Sequence, residues 1–139
     1  MTRKKILIVE DEVITAMSLQ HLLEHWGCGK CEQVSSGKEA IEKAMSEKPD
    51  IVLIDINLRG ETNGIEAAKQ LQDRFCVPII FITGYSDEET IREAKKIKPV
   101  GYFVKPLDFN KLRSTIDSVT HSQKKNLKQE KKLKQKKNR

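Results

Sequence analysis

The chain of 139 residues is 37% hydrophobic and 33% charged, enough for one domain with a sizeable core. No apolar run approaches the length of a membrane span, and no apolar segment follows the basic opening Met1-Thr2-Arg3-Lys4-Lys5, so neither a membrane protein nor a secretory leader is expected. The net charge of +6 sits at one end: residues 121–139 hold nine Lys or Arg against one Glu, leaving 17 basic and 19 acidic residues ahead of them. The expected organisation is a mildly acidic domain over 1–120 and a basic tail over 121–139.

In chain order, Ile6, Leu7, Ile8 and Val9 form an unbroken apolar run, which predicts a buried strand over 5–9. Glu10-Asp11-Glu12 follows at once. A helix is predicted over 12–26, with Val13, Met17, Leu19 or Gln20, Leu22 and Leu23 at helical spacing and Gly27 and Gly29 stopping it. A short, weak strand covers 30–34. Ser36 and Glu39 have capping-box spacing and open a helix to Glu47 that buries Ala40, Ile41 and Ala44.

Pro49 closes that connection and sets up the most apolar stretch, Ile51-Val52-Leu53-Ile54, which ends on Asp55. Asn63 and Glu66 repeat the capping spacing before a helix that buries Ile65, Ala68 and Leu71 and ends near Arg74. A fourth strand is predicted over 77–82, ending in Thr83-Gly84. Ser86 and Glu89 form a third capping box. Its helix, through Ile97, has only Ile91, Ala94 and Ile97 to bury, so it is expected to be the least firmly held. A fifth strand over 100–104 ends in Lys105-Pro106. Asp108 caps a last helix, with Phe109, Leu112, Ile116 and Val119 facing inward.

Strand followed by helix, five times over, is the pattern of an α/β fold with a doubly wound parallel sheet. Ligands of such sheets bind beyond the carboxyl ends of the strands. If strands one, three, four and five are neighbours, those ends bring together Glu10, Asp11, Asp55, Thr83 and Lys105. Three carboxylates on one rim repel one another unless a cation joins them. A hard divalent ion such as Mg²⁺ fits oxygen ligands of this kind. Asp55 is then placed to act as a nucleophile forming an aspartyl-phosphate, with Lys105 as a point charge for phosphoryl oxygens and the Thr83 hydroxyl as a hydrogen-bonding group.

Other chemistries have less to stand on. Cys28 and Cys31 have Cys-x2-Cys spacing, but a structural zinc site needs four ligands and no second pair exists; with Cys76 they read as plain thiols in a reducing cytoplasm. His21 and His25, one turn apart, read as surface helix residues. No glycine-rich phosphate loop follows the first strand.

Four segments, Ile8-Val9-Glu10-Asp11-Glu12, Leu53-Ile54-Asp55-Ile56, Ile82-Thr83-Gly84 and Gly101-Tyr102-Phe103-Val104-Lys105-Pro106, resemble, in order, the strand-end motifs of the receiver domain of two-component response regulators. The resemblance covers about residues 4–120. It implies a flavodoxin-like (βα)5 fold with strand order 2-1-3-4-5. It also implies that Glu10 and Asp11 bind Mg²⁺, that Asp55 is the phosphate acceptor and a metal ligand, and that the backbone carbonyl of Asn57 completes the metal set. Thr83 and Tyr102 would be the switch pair, Lys105 the conserved lysine, and the bond before Pro106 cis. On phosphorylation the surface of the fourth helix, fifth strand and fifth helix would change.

The sequence departs from that family in two places. Glu10 stands where Asp is commonest, and the loop after Asp55 lacks proline and is one residue longer, with Arg59-Gly60-Glu61 inside it. Asn57 and Glu61 are candidates for steering the hydrolytic water. A histidine kinase or phosphotransfer protein is the expected phosphodonor. Nothing after Thr120 reads as a DNA-binding module, so output is expected through a partner protein or a phosphorylation-dependent homodimer. The alternatives are a phosphorylation-independent adapter, a metal-dependent phosphohydrolase acting through Asp55, and a nucleic-acid-associated protein working through its basic tail.

Overall fold

The computed structural model describes residues 4–60, 62–84 and 87–119. The expectations for the tail over 121–139, for Ser86 and for Glu61 lie outside the described residues. The chain divides after Leu107 into two units.

The first unit is a parallel sheet of five strands: β1 (Ile6–Val9), β2 (Cys31–Val34), β3 (Ile51–Asp55), β4 (Ile79–Thr83) and β5 (Gly101–Val104). Their order is β2-β1-β3-β4-β5, the doubly wound arrangement. Between them run α1 (Val13–His25), α2 (Gly37–Glu47), α3 (Gly64–Phe75) and α4 (Glu88–Lys96). In the second unit residues 109–119 form a helix, α5, in which Leu112, Ile116 and Val119 are buried.

Strand pairing explains why the apolar runs are unbroken. Leu7 pairs with Val52 and Val52 with Ile79; Val9 pairs with Ile54, Ile54 with Phe81, and Phe81 with Tyr102. Side chains along a strand alternate between faces, so these two rungs line one side of the sheet. There they form a single cluster with Ala40 and Ala44 of α2, Ala67, Ala68 and Leu71 of α3, and Ala94 of α4. The intervening residues, Ile6, Ile8, Leu53, Ile80 and Ile82, are just as fully buried, on the opposite side. A strand covered on both faces has no polar positions to alternate with. Each fully buried aliphatic side chain contributes about 1.5–3 kcal/mol relative to exposure, which makes β1, β3 and β4 the rigid frame of the site.

Caps set where the helices begin. The Ser36 side chain accepts from the Glu39 N–H and the Asn63 side chain from the Glu66 N–H, as the spacing predicts. For α4 the cap is Asp87, which accepts from the Thr90 N–H, one residue later than the spacing around Ser86 predicts. Two inner faces also differ from expectation. In α1 the buried residues are Ala16, Leu19 and Leu23, while Val13, Ile14 and Met17 stand in solvent. A small alanine marks the buried stripe, and larger apolar side chains mark the wet one. In α5 Phe109 is exposed, although it keeps the phase of Leu112, Ile116 and Val119; it is the first helical residue. Ile41 and Ile65 only flank the core. Strand β4 starts at Ile79 because Pro78 has no N–H for the ladder, although Val77 is buried.

Candidate functional site

Strand register brings the polar strand ends together. Asp55 is the last residue of β3 and pairs with Ile82; Glu10 follows Val9, the partner of Ile54. Thr83 ends β4 opposite Val104, and the Lys105 N–H donates to the Thr83 carbonyl at 2.7 Å. The backbone thus delivers Glu10, Asp55, Thr83 and Lys105 to one edge before any side-chain contact is made. The Lys105–Pro106 bond is cis, as the resemblance implies.

At that edge Glu10, Asp11 and Asp55 can each offer a carboxylate oxygen within 4.8 Å of the others. Lys105 Nζ lies 3.2 Å from Asp55 Oδ2 and 3.3 Å from Glu10 Oε1. Glu10, Asp55 and Thr83 are the buried polar residues among those described. Burial, followed by the hydrogen bond to Asp55 and its charge, raises the pKa of Glu10 to about 8, against the pull of Lys105. Burial works against the charge on Lys105 too, but Asp55 and Glu10 outweigh it and hold the lysine protonated above its ordinary range. The ligand atoms are all oxygens, which suits a hard divalent cation of the Mg²⁺ type; the residues fit that group.

The Asp55 carboxylate is held in place from behind. The Asn57 N–H donates to Asp55 Oδ1 at 2.8 Å, and the Asn57 side-chain amide donates to the Thr83 hydroxyl at 2.9 Å. The Gly64 N–H donates to the Ile56 carbonyl at 3.0 Å, which brings the start of α3 directly against the end of β3. On the loop side the Arg59 N–H donates to Asp11 Oδ2 at 3.1 Å. Sequence reasoning missed the Asn57 side-chain bond, the Arg59 contact and the tight approach at Gly64. The extra length of the Arg59-Gly60-Glu61 loop was the only visible signal for the second of these.

Tyr102 is half-buried, packs against the core cluster and sets its ring edge-on to Phe81, with centroids 6.3 Å apart. Its hydroxyl is buried without a hydrogen-bond partner. His21 and His25 are exposed on α1. Cys28, Cys31 and Cys76 are free thiols, and burial pushes the Cys31 thiol up to about 12. Among the described residues the acidic triplet is the one cluster able to hold a metal ion. No described helix is long and apolar enough to cross a membrane.

A parallel sheet of this order, with three carboxylates and a lysine at its carboxyl edge, defines a receiver domain. Residues 6–117 match the response regulator receiver domain family, and the chain belongs to it. It is 35% identical over 121 residues to the transcriptional regulatory protein ZraR of Escherichia coli, covering 84% of this chain and 27% of that protein. It is 30% identical over 114 residues to the transcriptional regulatory protein PdtaR of Mycobacterium tuberculosis, covering 82% of this chain and 55% of that one. The chain therefore spans between about a quarter and about half of these relatives. Among solved structures, the receiver domain of a diguanylate cyclase from Desulfovibrio desulfuricans superposes with a TM-score of 0.85 at 37% identity, covering 90% of this chain and 99% of that one. A CheY-like receiver domain from Methanospirillum hungatei gives 0.82 at 26% identity, covering 90% and 99%.

Proposed function

We propose that the chain is a phosphorylatable signalling switch with Asp55 as its acceptor. The observation that carries this reading is the 3.2 Å pairing of Lys105 with Asp55 on a rim shared with Glu10 and Asp11. A carboxylate oxygen of Asp55 attacks the phosphorus of a phosphohistidine on a histidine kinase or phosphotransfer protein. The P–N bond breaks, its electron pair leaves with the imidazole, and an acyl phosphate forms. The Asn57 N–H holds the acceptor carboxylate in orientation. Lys105 meets the phosphoryl oxygens with a charge-assisted hydrogen bond.

Glu10, Asp11, Asp55 and the backbone carbonyl of Asn57 would hold Mg²⁺. When bound, that ion supplies neutralisation of the charge on the transferring phosphoryl group. Hydrolysis of the acyl phosphate by water resets the switch, and the exposed Asn57 stands where it can steer that water. Asp55, Thr83 and Lys105 are the groups that touch the phosphoryl group.

Signalling follows from the same edge. The Thr83 hydroxyl donates to a phosphoryl oxygen, which changes what its neighbours meet, and Tyr102 repacks in response. The surface made by α4 and β5 is the readout, since α4 buries only Ala94 fully and can shift cheaply. Two states with different surfaces, whose balance the phosphoryl group tips, are all that such a switch requires. The receiver would be a partner protein or a second copy of the chain, in the cytoplasm where the phosphodonor resides.

Incubation with acetyl phosphate and Mg²⁺, followed by intact-mass measurement, tests the reading. One phosphoryl group should be gained by the natural chain and none by Asp55→Asn or in the presence of EDTA. Equal masses before and after in the natural chain would contradict the reading and favour a phosphorylation-independent adapter.

A further inference from the structure

The β3–α3 loop makes two contacts that phosphoryl transfer does not require. The Arg59 N–H donates to Asp11 Oδ2 at 3.1 Å, and the Arg59 guanidinium brings Nε to 3.7 Å from the same oxygen. Asp11 belongs to the acidic triplet, and it is the member that Lys105 does not pair with, since Lys105 takes Glu10 and Asp55. The two side chains differ in their surroundings: that of Arg59 is 91% exposed and that of Asp11 17%. A solvent-exposed, fully charged group thus rests on a carboxylate that is largely enclosed.

We propose that Arg59 is a positioning residue that competes with a divalent cation for Asp11, and so sets the cation concentration at which Asp55 becomes a competent acceptor. The inference rests on reading the acidic triplet as a Mg²⁺ site. Its physical basis is simple. A guanidinium at Asp11 offsets part of the negative charge that would attract the ion, and it repels the ion directly. Both effects have the same sign, so Arg59 can only weaken cation binding. Because the Arg59 side chain is 91% exposed, water competes for the guanidinium and the penalty is modest. Exposed pairs of this kind alter equilibria by about two- to fivefold, and salt screens them. The contact of the residue-59 backbone N–H with Asp11 does not use the side chain, so substitutions there test the charge apart from that hydrogen bond.

The test is a Mg²⁺ titration of the full chain followed by ¹H–¹⁵N NMR, on the natural protein, Arg59→Gln and Arg59→Lys, at low and at high sodium chloride. Amides flanking Glu10, Asp11 and Asp55 should shift saturably in all three, and the spectra themselves report whether each protein is folded. Arg59→Gln should bind Mg²⁺ about two- to fivefold more tightly than the natural chain at low salt, and the gain should shrink at high salt. Arg59→Lys, which keeps the charge, should bind like the natural chain. Equal affinities for the natural chain and Arg59→Gln at low salt overturn the inference and leave the metal site standing. So does a gain that salt does not diminish, or one shared by Arg59→Lys. No saturable shift at these amides in any of the three overturns the metal-site reading itself.

Discussion

Gly64, the first residue of α3, stands so close to Asp55 that a Cβ built on it would lie 2.1 Å from the Asp55 carbonyl oxygen and 2.7 Å from the Ile56 Cα. Both obstacles are backbone, so neither can turn aside as a side chain would. Alanine is otherwise favoured over glycine in a helix by about 1 kcal/mol, but here overpacking decides the sign. Gly64→Ala should destabilise the fold by about 1–3 kcal/mol or more and displace Asp55, the proposed acceptor. Urea denaturation measures the first effect, and phosphorylation by acetyl phosphate the second. At Gly37 the added Cβ would meet side chains instead, the nearest being Ala67 Cβ at 3.0 Å and Thr62 Cγ2 at 3.1 Å, so Gly37→Ala should cost less.

Lys105 is the cation that touches both buried carboxylates. On the proposed mechanism Lys105→Ala removes the partner of the transferring phosphoryl group and should slow phosphorylation by about a hundredfold or more. The rate of mass gain with acetyl phosphate at saturating Mg²⁺ is the readout. A rate within a few-fold of the natural chain would remove Lys105 from the chemistry.

Glu10 gives the metal-free protein a pH dependence whose sign can be worked out. Its folded pKa is raised from 4.5 to about 8, first by burial and then by Asp55. The folded state therefore binds more protons than the unfolded one between those values. The stability this confers is complete below the unfolded pKa and is lost as pH rises through the folded one. In EDTA, urea midpoints should fall from mildly acidic pH to about pH 8, and Glu10→Gln should flatten that slope. An unchanged slope in Glu10→Gln would assign the dependence elsewhere.

The Tyr102 hydroxyl is buried without a partner while its ring packs on Phe81. An unsatisfied buried hydroxyl costs about 1–3 kcal/mol. Tyr102→Phe keeps the ring and deletes that cost, so it should raise the urea midpoint. Lower stability in Tyr102→Phe would mean that the hydroxyl has a partner in solution.

Much of this architecture is legible in the residues alone, and the exceptions have physical reasons. Ile6 to Val9 and Ile51 to Ile54 read as buried strands because both of their faces are covered, and the polar residue that ends each run falls where the sheet edge is. Asp55, Lys105 and their neighbours are therefore visible as a site before any coordinates. The inner face of α1 is not, because Ala16 carries it while Val13 and Met17 lie in solvent, and apolar character does not distinguish the two. The cap of α4 falls on Asp87, and Thr90 rather than a Glu stands three residues on, so the capping-box spacing that points to Ser86 and Glu89 does not find it. Arg59 on Asp11 and the Asn57 amide on Thr83 depend on how a loop folds back across the sheet edge. Sequence period carries no information about that.

Reductive trapping of the phosphorylated chain with borohydride, followed by peptide mapping, tests the central claim most directly, because an acyl phosphate on aspartate is converted to homoserine. Homoserine at position 55, and at no other acidic residue, is the expected result. A trapped residue at position 10 or 11, or phosphorylated protein that yields no homoserine at all, would contradict Asp55 as the acceptor.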